Sequence, residues 1–340
     1  MNRLRPLLLA VLLPLASHAS SLPSGSPLLL KPQCSRIATG PGPEDMAVLP
    51  GEPARLLISS HDRRHFESTG NLYLYNTATQ DMHILPRFDE PAGLQLRPHG
   101  IDLVQDAQGH NLLYVINHDD HQPNSNLHSI LIYELRADGL HLRQRLQDPV
   151  LTSPDDVSVA GNGDVYVTND RKDGESVMEL ALHRSRANVA LYQPGKGWSI
   201  AADHLEYPNG VKAENDRVLV SLTFGSALLL YPRHADGSLG PAEQIAGKPN
   251  LDNIMPGLGP DNYLISSHLS FVDFMRHKDS STHHSGNIVY QFNVKTRQAE
   301  PFFVDDGSLI SAVSTALIAD KALYLSQDFD AFIVRCPLKE

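Results

Sequence analysis

A six-bladed β-propeller is the all-β architecture this sequence predicts. Three observations carry it. One layout recurs six times, each repeat alternates apolar and polar residues at strand period, and two cysteines, Cys34 and Cys336, lie near opposite ends. The repeating unit opens on a short polar signature and continues through an apolar alternation, a turn and a second alternation. The signatures begin at Glu44, His99, Asp155, Asn209, Asp252 and Ser314, with successive gaps of 55, 56, 54, 43 and 62 residues. Short strands repeated at such spacing read as blades around an axis. A pair of β-sandwiches is the competing arrangement, and the regular spacing argues against it.

Taken in chain order, the first element is a leader. Arg3 and Arg5 precede the apolar run Pro6 to Leu15, and Ser17 and Ala19 supply small residues before a cleavage point. This pattern describes a signal peptide over residues 1–19, with a secreted or periplasmic mature chain over 20–340 forming one propeller domain. An uncleaved N-terminal anchor is the alternative, but the run is shorter than the ~18 residues a span needs. Export permits a disulfide, and a Cys34–Cys336 bridge would tie the two termini together.

Within a unit the signals are those of strands and hairpins. Asp156-Val157-Ser158-Val159 alternates, Gly161-Asn162-Gly163-Asp164 turns, and Val165-Tyr166-Val167-Thr168 alternates again. The remaining units repeat this with Arg55 to Ile58, Leu112 to Ile116, Arg217 to Val220, Tyr263 to Ile265 and Ala322 to Leu325. A third strand follows each, and five of the six end in a tyrosine: Tyr75, Tyr133, Tyr192, Tyr231 and Tyr290. No long 3.6-period stripe follows the leader, so helices are expected to be minor.

Composition narrows the partners. Of 340 residues 41% are apolar and 20% charged, which excludes a disordered chain. Lys and Arg total 28 against 39 Asp and Glu, a formal charge of −11. Nucleic acid and anionic membrane are poor partners for such a chain, and cations are good ones. In a propeller, the start of each innermost strand faces the central channel. Glu44, Asp45, Asp155, Asp156, Asn209, Asp252 and Asn253 would therefore converge there as a hard-oxygen set suited to calcium. Turns also favour Asp, Asn and Gly, so spacing alone leaves both readings open.

The signatures, in their order, make the chain resemble the paraoxonase/arylesterase family, calcium-dependent six-bladed propeller lactonases of the gluconolactonase-like group. The resemblance rests on Glu44-Asp45, Pro98-His99-Gly100-Ile101, Val115-Ile116-Asn117-His118, Tyr207-Pro208-Asn209-Gly210 and Leu251-Asp252-Asn253-Ile254, and runs from Cys34 to Cys336. It implies a disulfide between those cysteines and two calcium ions. A catalytic ion would take Glu44, Asn209, Asp252, Asn253 and Asp155; a structural ion would take Asp45, Asp156 and the carbonyl of Ile101. Asp155 departs from the family's asparagine, which implies tighter calcium and weaker polarisation of a carbonyl. The resemblance further implies a histidine dyad, His99 and His118, with His99 taking a proton from water, and a substrate-contacting histidine at His268. Histidine suits that work because its ordinary pKa lies near neutrality.

The implied activity is hydrolysis of small lactones and aryl esters, with phosphotriester hydrolysis an accessible side reaction. The alternative from another class is a non-catalytic, calcium-stabilised propeller acting as a binding module. Other motifs are discounted. The 17 histidines include no His-Glu-x-x-His pattern, and His61 to His65, His118 to His121 and His283-His284 read as solvated loops, with His118 to Asp120 at the pocket rim. Gly225-Ser226 lacks the second glycine of a nucleophile elbow. Arg171 to Glu175 and Phe271 to Ser285 read as loops shaping the pocket mouth.

Overall fold

The computed structural model describes residues 22–29, 31–49, 55–119, 128–172, 179, 186–245 and 247–339. The expected leader lies outside them. Six antiparallel sheets of four strands, one extended to five by the short strand Arg87–Phe88, make the six blades of a propeller. Their innermost strands are Pro43–Val48, Pro98–Gln105, Pro154–Val159, Pro208–Ala213, Leu251–Pro256 and Val313–Ala319, each opening on one of the six signatures or one residue ahead of it.

The period-2 alternation works here between blades. Leu57 packs with Leu103, Leu113 and Leu131 of the second blade. Its neighbours Leu56 and Ile58 face the other way, against Leu317, Tyr324 and Ile333 of the sixth. Six such apolar clusters, one between each adjacent pair of blades, make up the core. Both faces of every sheet are therefore buried, which is why the strands read as near-continuous apolar runs. The repeated tyrosines belong to these seams: Tyr75 and Tyr133 are fully buried, and Tyr75 meets Tyr324 edge-on across the first and sixth blades.

Ring closure mixes the two ends of the chain. The last blade takes Val313–Ala319, Ala322–Gln327 and Phe332–Pro337 from the C-terminal end and Ser35–Ala38 as its outer strand. Ser35 pairs with Arg335 and Ala38 with Phe332. Cys34 and Cys336 are disulfide-bonded beside this pairing, and Cys336 is fully buried.

The segment expected as a mouth loop contains a nine-residue helix, Phe271–Asp279. Ser270 caps it by accepting from the Asp273 amide at 3.2 Å, and Arg276, His277 and Lys278 occupy its last turn, where the helix dipole favours cations. Phe271, Phe274 and Met275, spaced i, i+3 and i+4, line the cavity, and of the helix's nine residues only His277 is buried. Arg64 fixes its end, donating to the carbonyls of His277 at 2.8 Å and Lys278 at 3.1 Å and to Asp330 at 2.8 Å.

The disulfide spans 302 residues, so it restricts the unfolded chain strongly. Replacing both cysteines by serine is expected to lower unfolding free energy by about 2–5 kcal/mol. Urea denaturation of oxidised wild type and the double variant measures it; equal midpoints would show that strand pairing alone closes the ring.

Candidate active site

The site follows from one irregularity repeated in every blade. The innermost strand carries one residue more than its partner at its channel end, with register shifts at Pro43/Asp45, Pro98/Ile101, Pro154/Val157, Pro208/Val211, Leu251/Ile254 and Val313/Ala316. Such bulges turn consecutive side chains out of the ladder. Here they deliver two rings of residues: Glu44, His99, Asp155, Asn209, Asp252 and Ser314, then Asp45, Gly100, Asp156, Gly210, Asn253 and Thr315. The freed amides are covered by hydroxyls of the next strand: Ser59 accepts from Asp45, Thr168 from Asp156, Ser221 from Gly210 and Ser326 from Thr315, at 2.8–3.2 Å.

A third ring closes the mouth. The second strand of each blade ends at His118 or His268, or one residue before His61, Asp170, Thr223 or Asp328. The amide of each donates to the carbonyl just before the innermost strand, on Gly42, Arg97, Ser153, Tyr207, Asn250 and Ala312 respectively, at 2.9–3.2 Å. Sequence reasoning found His118 and His268 of this ring and missed Asp170 and Asp328. Their signal is positional: each lies one residue beyond the partner of the innermost strand's first residue. The stretch from His61 to His65, read as a solvated loop, is partly interior: His61 is buried and Arg63 lines the site, because the blade's second strand runs directly into it.

Together these rings line a cavity of about 180 Å³. Glu44, His99, Asp155, Asn209, Asp252, His118 and His268 all border it. Asn253 lies beneath and donates to Glu44 Oε1 at 2.9 Å. Asp45, Asp156 and Ile101 sit deeper and join blades. Asp45 accepts from the Ile101 amide of the second blade at 2.7 Å, and Asp156 from the Val211 amide of the fourth at 2.7 Å. Phe66, Phe271, Phe274 and Phe329 give the lining an aromatic part, and Asp170, Arg171 and Tyr207 also line it. His268 Nε2 meets Asp252 Oδ2 at 2.8 Å, and Phe274 covers the imidazole at 4.4 Å.

The histidines form a contact chain. His99 Nε2 is 3.3 Å from Asp155 Oδ1 and 4.0 Å from Glu44 Oε1, while His99 Nδ1 is 2.7 Å from His118 Nε2. Burial, reinforced by the Arg63 guanidinium and neighbouring imidazoles, holds the His99 and His118 pKa values well below the ordinary range. The neutral form of both rings is thereby favoured.

The acids are pushed the other way. Burial raises Glu44, Asp155 and Asp156 well above the usual carboxylate range, and Asp170 and Glu44 push Asp155 further. Asp45 and Asp328 are raised to about 6, again chiefly by burial. Facing acids in a low-dielectric channel destabilise each other's charge, and a divalent ion among them removes that penalty.

The donor set fits such an ion. Glu44 Oε2, Asn209 Oδ1 and Asn253 Oδ1 are buried oxygens with no hydrogen-bond partner. Both cysteines are consumed by the disulfide, so no thiolate competes. Oxygen-only ligation by carboxylates and amides suits calcium rather than a softer metal. Asp252, His268 and Asp328 also bring ligand atoms within 4.8 Å of one another.

Comparison with known proteins places this geometry. The chain is 24% identical over 255 residues to mechanosensory abnormality protein 6 of Caenorhabditis elegans, spanning 71% of this chain and 66% of that protein. It is 20% identical over 289 residues to serum paraoxonase/lactonase 3 of Mus musculus, spanning 83% of this chain and 77% of that one. Among solved structures, a gluconolactonase from Xanthomonas campestris superposes with a TM-score of 0.57 at 18% identity, covering 90% of this chain and 89% of that one. The calcium-binding protein regucalcin from Agrobacterium tumefaciens gives 0.53 at 10% identity, covering 89% and 93%. These superpositions establish a shared fold. The arylesterase family profile matches residues 42–336, from the first blade to the closing cysteine, and the chain belongs to the arylesterase family.

Proposed function

We propose that this protein is an exported, calcium-dependent hydrolase of lactones and aryl esters. The observation that carries the reading is an imidazole chain in contact with Asp155 at a cavity whose buried Glu44 and Asn209 each leave a side-chain oxygen without a hydrogen-bond partner. Membership of the arylesterase family supports the reaction class, and the mouse relative's name pairs it with lactones.

In this reading Glu44, Asp155, Asn209, Asp252 and Asn253 hold a catalytic ion, and Asp45, Asp156 and the Ile101 carbonyl hold a structural one. Calcium bound there supplies Lewis-acid polarisation of the substrate carbonyl and charge to meet the oxyanion. His99 Nε2 faces the cavity and takes the proton of an attacking water, while His118 holds the ring through Nδ1. His268, fixed by Asp252 and Phe274, contacts the substrate. The phenylalanines pack against an acyl chain or aryl group and keep competing water away. The disulfide supports export, since such bonds form and persist in oxidising compartments.

Purified protein is expected to hydrolyse phenyl acetate and a γ- or δ-lactone in calcium, to lose both activities to a chelator, and to regain them when calcium is restored. Absence of turnover on both classes in calcium would overturn the reading. A chelator-induced fall in melting temperature without any turnover would favour a non-catalytic, calcium-stabilised propeller, the reading that the mechanosensory relative's name raises.

Three further outcomes follow from the residues. His99→Gln is expected to reduce kcat by roughly 10²–10⁴-fold with the melting temperature retained; retained activity would remove His99 as the base. Asp155→Asn takes a charge from the ligand ring and is expected to weaken calcium binding about tenfold, about 1.4 kcal/mol by calorimetry, while raising kcat at saturating calcium. Tighter binding in that variant would contradict the assignment of Asp155. After export, mass spectrometry should find the mature chain beginning at Ser20.

A further inference from the structure

The imidazole chain does not stop at His118. His118 Nδ1 lies 3.2 Å from His128 Nδ1, with the two rings edge-on at 4.9 Å between centroids. His128 opens the third strand of the second blade, His128–Arg136, opposite His118 in register, and is partly exposed. Three rings therefore run from Asp155 in the cavity to the rim of the blade: His99, His118 and His128.

Proton counting restricts such a chain. A neutral imidazole carries one N–H, and each N···N hydrogen bond contains one proton. Two arrangements satisfy both contacts. In the first, His99 Nδ1–H donates to His118 Nε2, His118 Nδ1–H donates to His128 Nδ1, and His99 Nε2 is left bare toward the cavity. In the second every proton is reversed, and His99 Nε2–H points at Asp155 Oδ1. Only the first offers a base to a substrate water. Asp155 Oδ1 lies 3.3 Å from His99 Nε2 and, when its carboxylate is ionised, is an acceptor that pulls toward the second. The group at the opposite end of the chain decides the contest, because the tautomer of one histidine follows from what its other nitrogen meets.

We propose that His128 is a positioning residue of the active site: by accepting at Nδ1 it fixes His118 as the Nδ1–H tautomer and thereby leaves His99 Nε2 bare toward the cavity. Both the role of His99 as base and the choice of this tautomer over its reverse rest on the hydrolase reading; the NMR measurement reads the tautomer independently of it. His128 touches no substrate and acts through two intervening rings.

Nitrogen-15 NMR of histidine-labelled protein tests it, in chelator-treated and in calcium-loaded samples. Wild type is expected to show His118 protonated at Nδ1 and bare at Nε2. His128→Phe removes the acceptor, and the His118 signals are expected to move to the reverse or a mixed tautomer. His128→Asn, whose side-chain oxygen can take the place of Nδ1, is expected to restore the wild-type pattern. On phenyl acetate His128→Phe should lower kcat about tenfold with KM unchanged, less than the roughly 10²–10⁴-fold loss of a general base. His128→Asn should recover most of it. His128→Gln, whose amide oxygen sits further out, replaces the phenylalanine variant if that one does not fold. His118 nitrogen shifts that are identical in wild type and either disruptive variant overturn the proposal. Wild-type protein that hydrolyses no ester removes the hydrolase reading, and the NMR arm still decides the tautomer.

Discussion

The interaction on which this molecule depends is a backbone hydrogen bond made six times over. At the mouth end of each blade, the amide that closes the second strand donates to the carbonyl just before the innermost strand. That bond pins the bulge behind it, and the bulge decides which side chains enter the channel. In four blades the accepting residue is left-handed: Gly42 at φ 61°, Tyr207 at 57°, Asn250 at 53° and Ala312 at 50°. For Tyr207 and Ala312 this conformation costs about 1–2 kcal/mol each. Strain of this kind persists only where surrounding structure over-determines it. Here the inter-blade apolar seams and the covering hydroxyls of Ser59, Thr168, Ser221 and Ser326 do so.

Two opposing costs then shape the channel. Carboxylates withdrawn from water resist ionisation, and crowding them strengthens that resistance. The second ring meets the problem with backbone amides, which hold Asp45 and Asp156 from neighbouring blades. The first ring leaves it open. Glu44 Oε2 has Arg63 Nη2 at 3.8 Å and no hydrogen bond, the Asn209 side-chain oxygen has no partner, and neither has that of Asn253 in the ring below. Apolar packing cannot satisfy those atoms, and burying them unsatisfied would cost about 1–3 kcal/mol each. A cation of the right size is the economical solution for the whole group, whereas the neutral imidazoles beside it need none.

Much of this was legible in the chain, for a physical reason. A propeller repeats one local structure, so strand alternation and the bulge signature recur at fixed offsets, and Glu44, His99, Asp155, Asn209 and Asp252 fall at one register. The same regularity exposed Cys34 and Cys336 as a pair. What escaped has no local signature. Asp328 and Asp170 are single acids after ordinary strands and acquire meaning only once the cross-strand partner is known. Arg63 looks solvated because charged residues surround it in sequence. His128 contacts His118 across a strand pair, ten residues further along a stretch of sequence that carries no motif. The Phe271–Asp279 helix is too short for its three cavity-lining apolar residues, Phe271, Phe274 and Met275, to stand out as a periodic run, and Arg64 and a serine cap hold its ends.

The composition of the second ring also explains how its acids are held. Around the channel it reads Asp45, Gly100, Asp156, Gly210, Asn253 and Thr315, so the two carboxylates are separated by glycine. The glycines are required by the neighbours. A Cβ on Gly100 would lie 2.7 Å from the Asp156 Cα and 2.9 Å from its Oδ1; one on Gly210 would lie 2.7 Å from the Asn253 Cα and 2.8 Å from the Asp252 carbonyl. Each glycine thus lets the next blade slide inward until its own polar side chain reaches the axis, and the Asp156 carboxylate reaches on to the Val211 amide. Six chemically equal blades would close into a ring of six crowded side chains. Alternating a glycine with an acid instead draws two acids, Asp45 and Asp156, to the centre, each held by a backbone amide of the next blade. The ring above is then free to present a different residue from each blade, and an active site with distinct positions is built on a nearly symmetric frame.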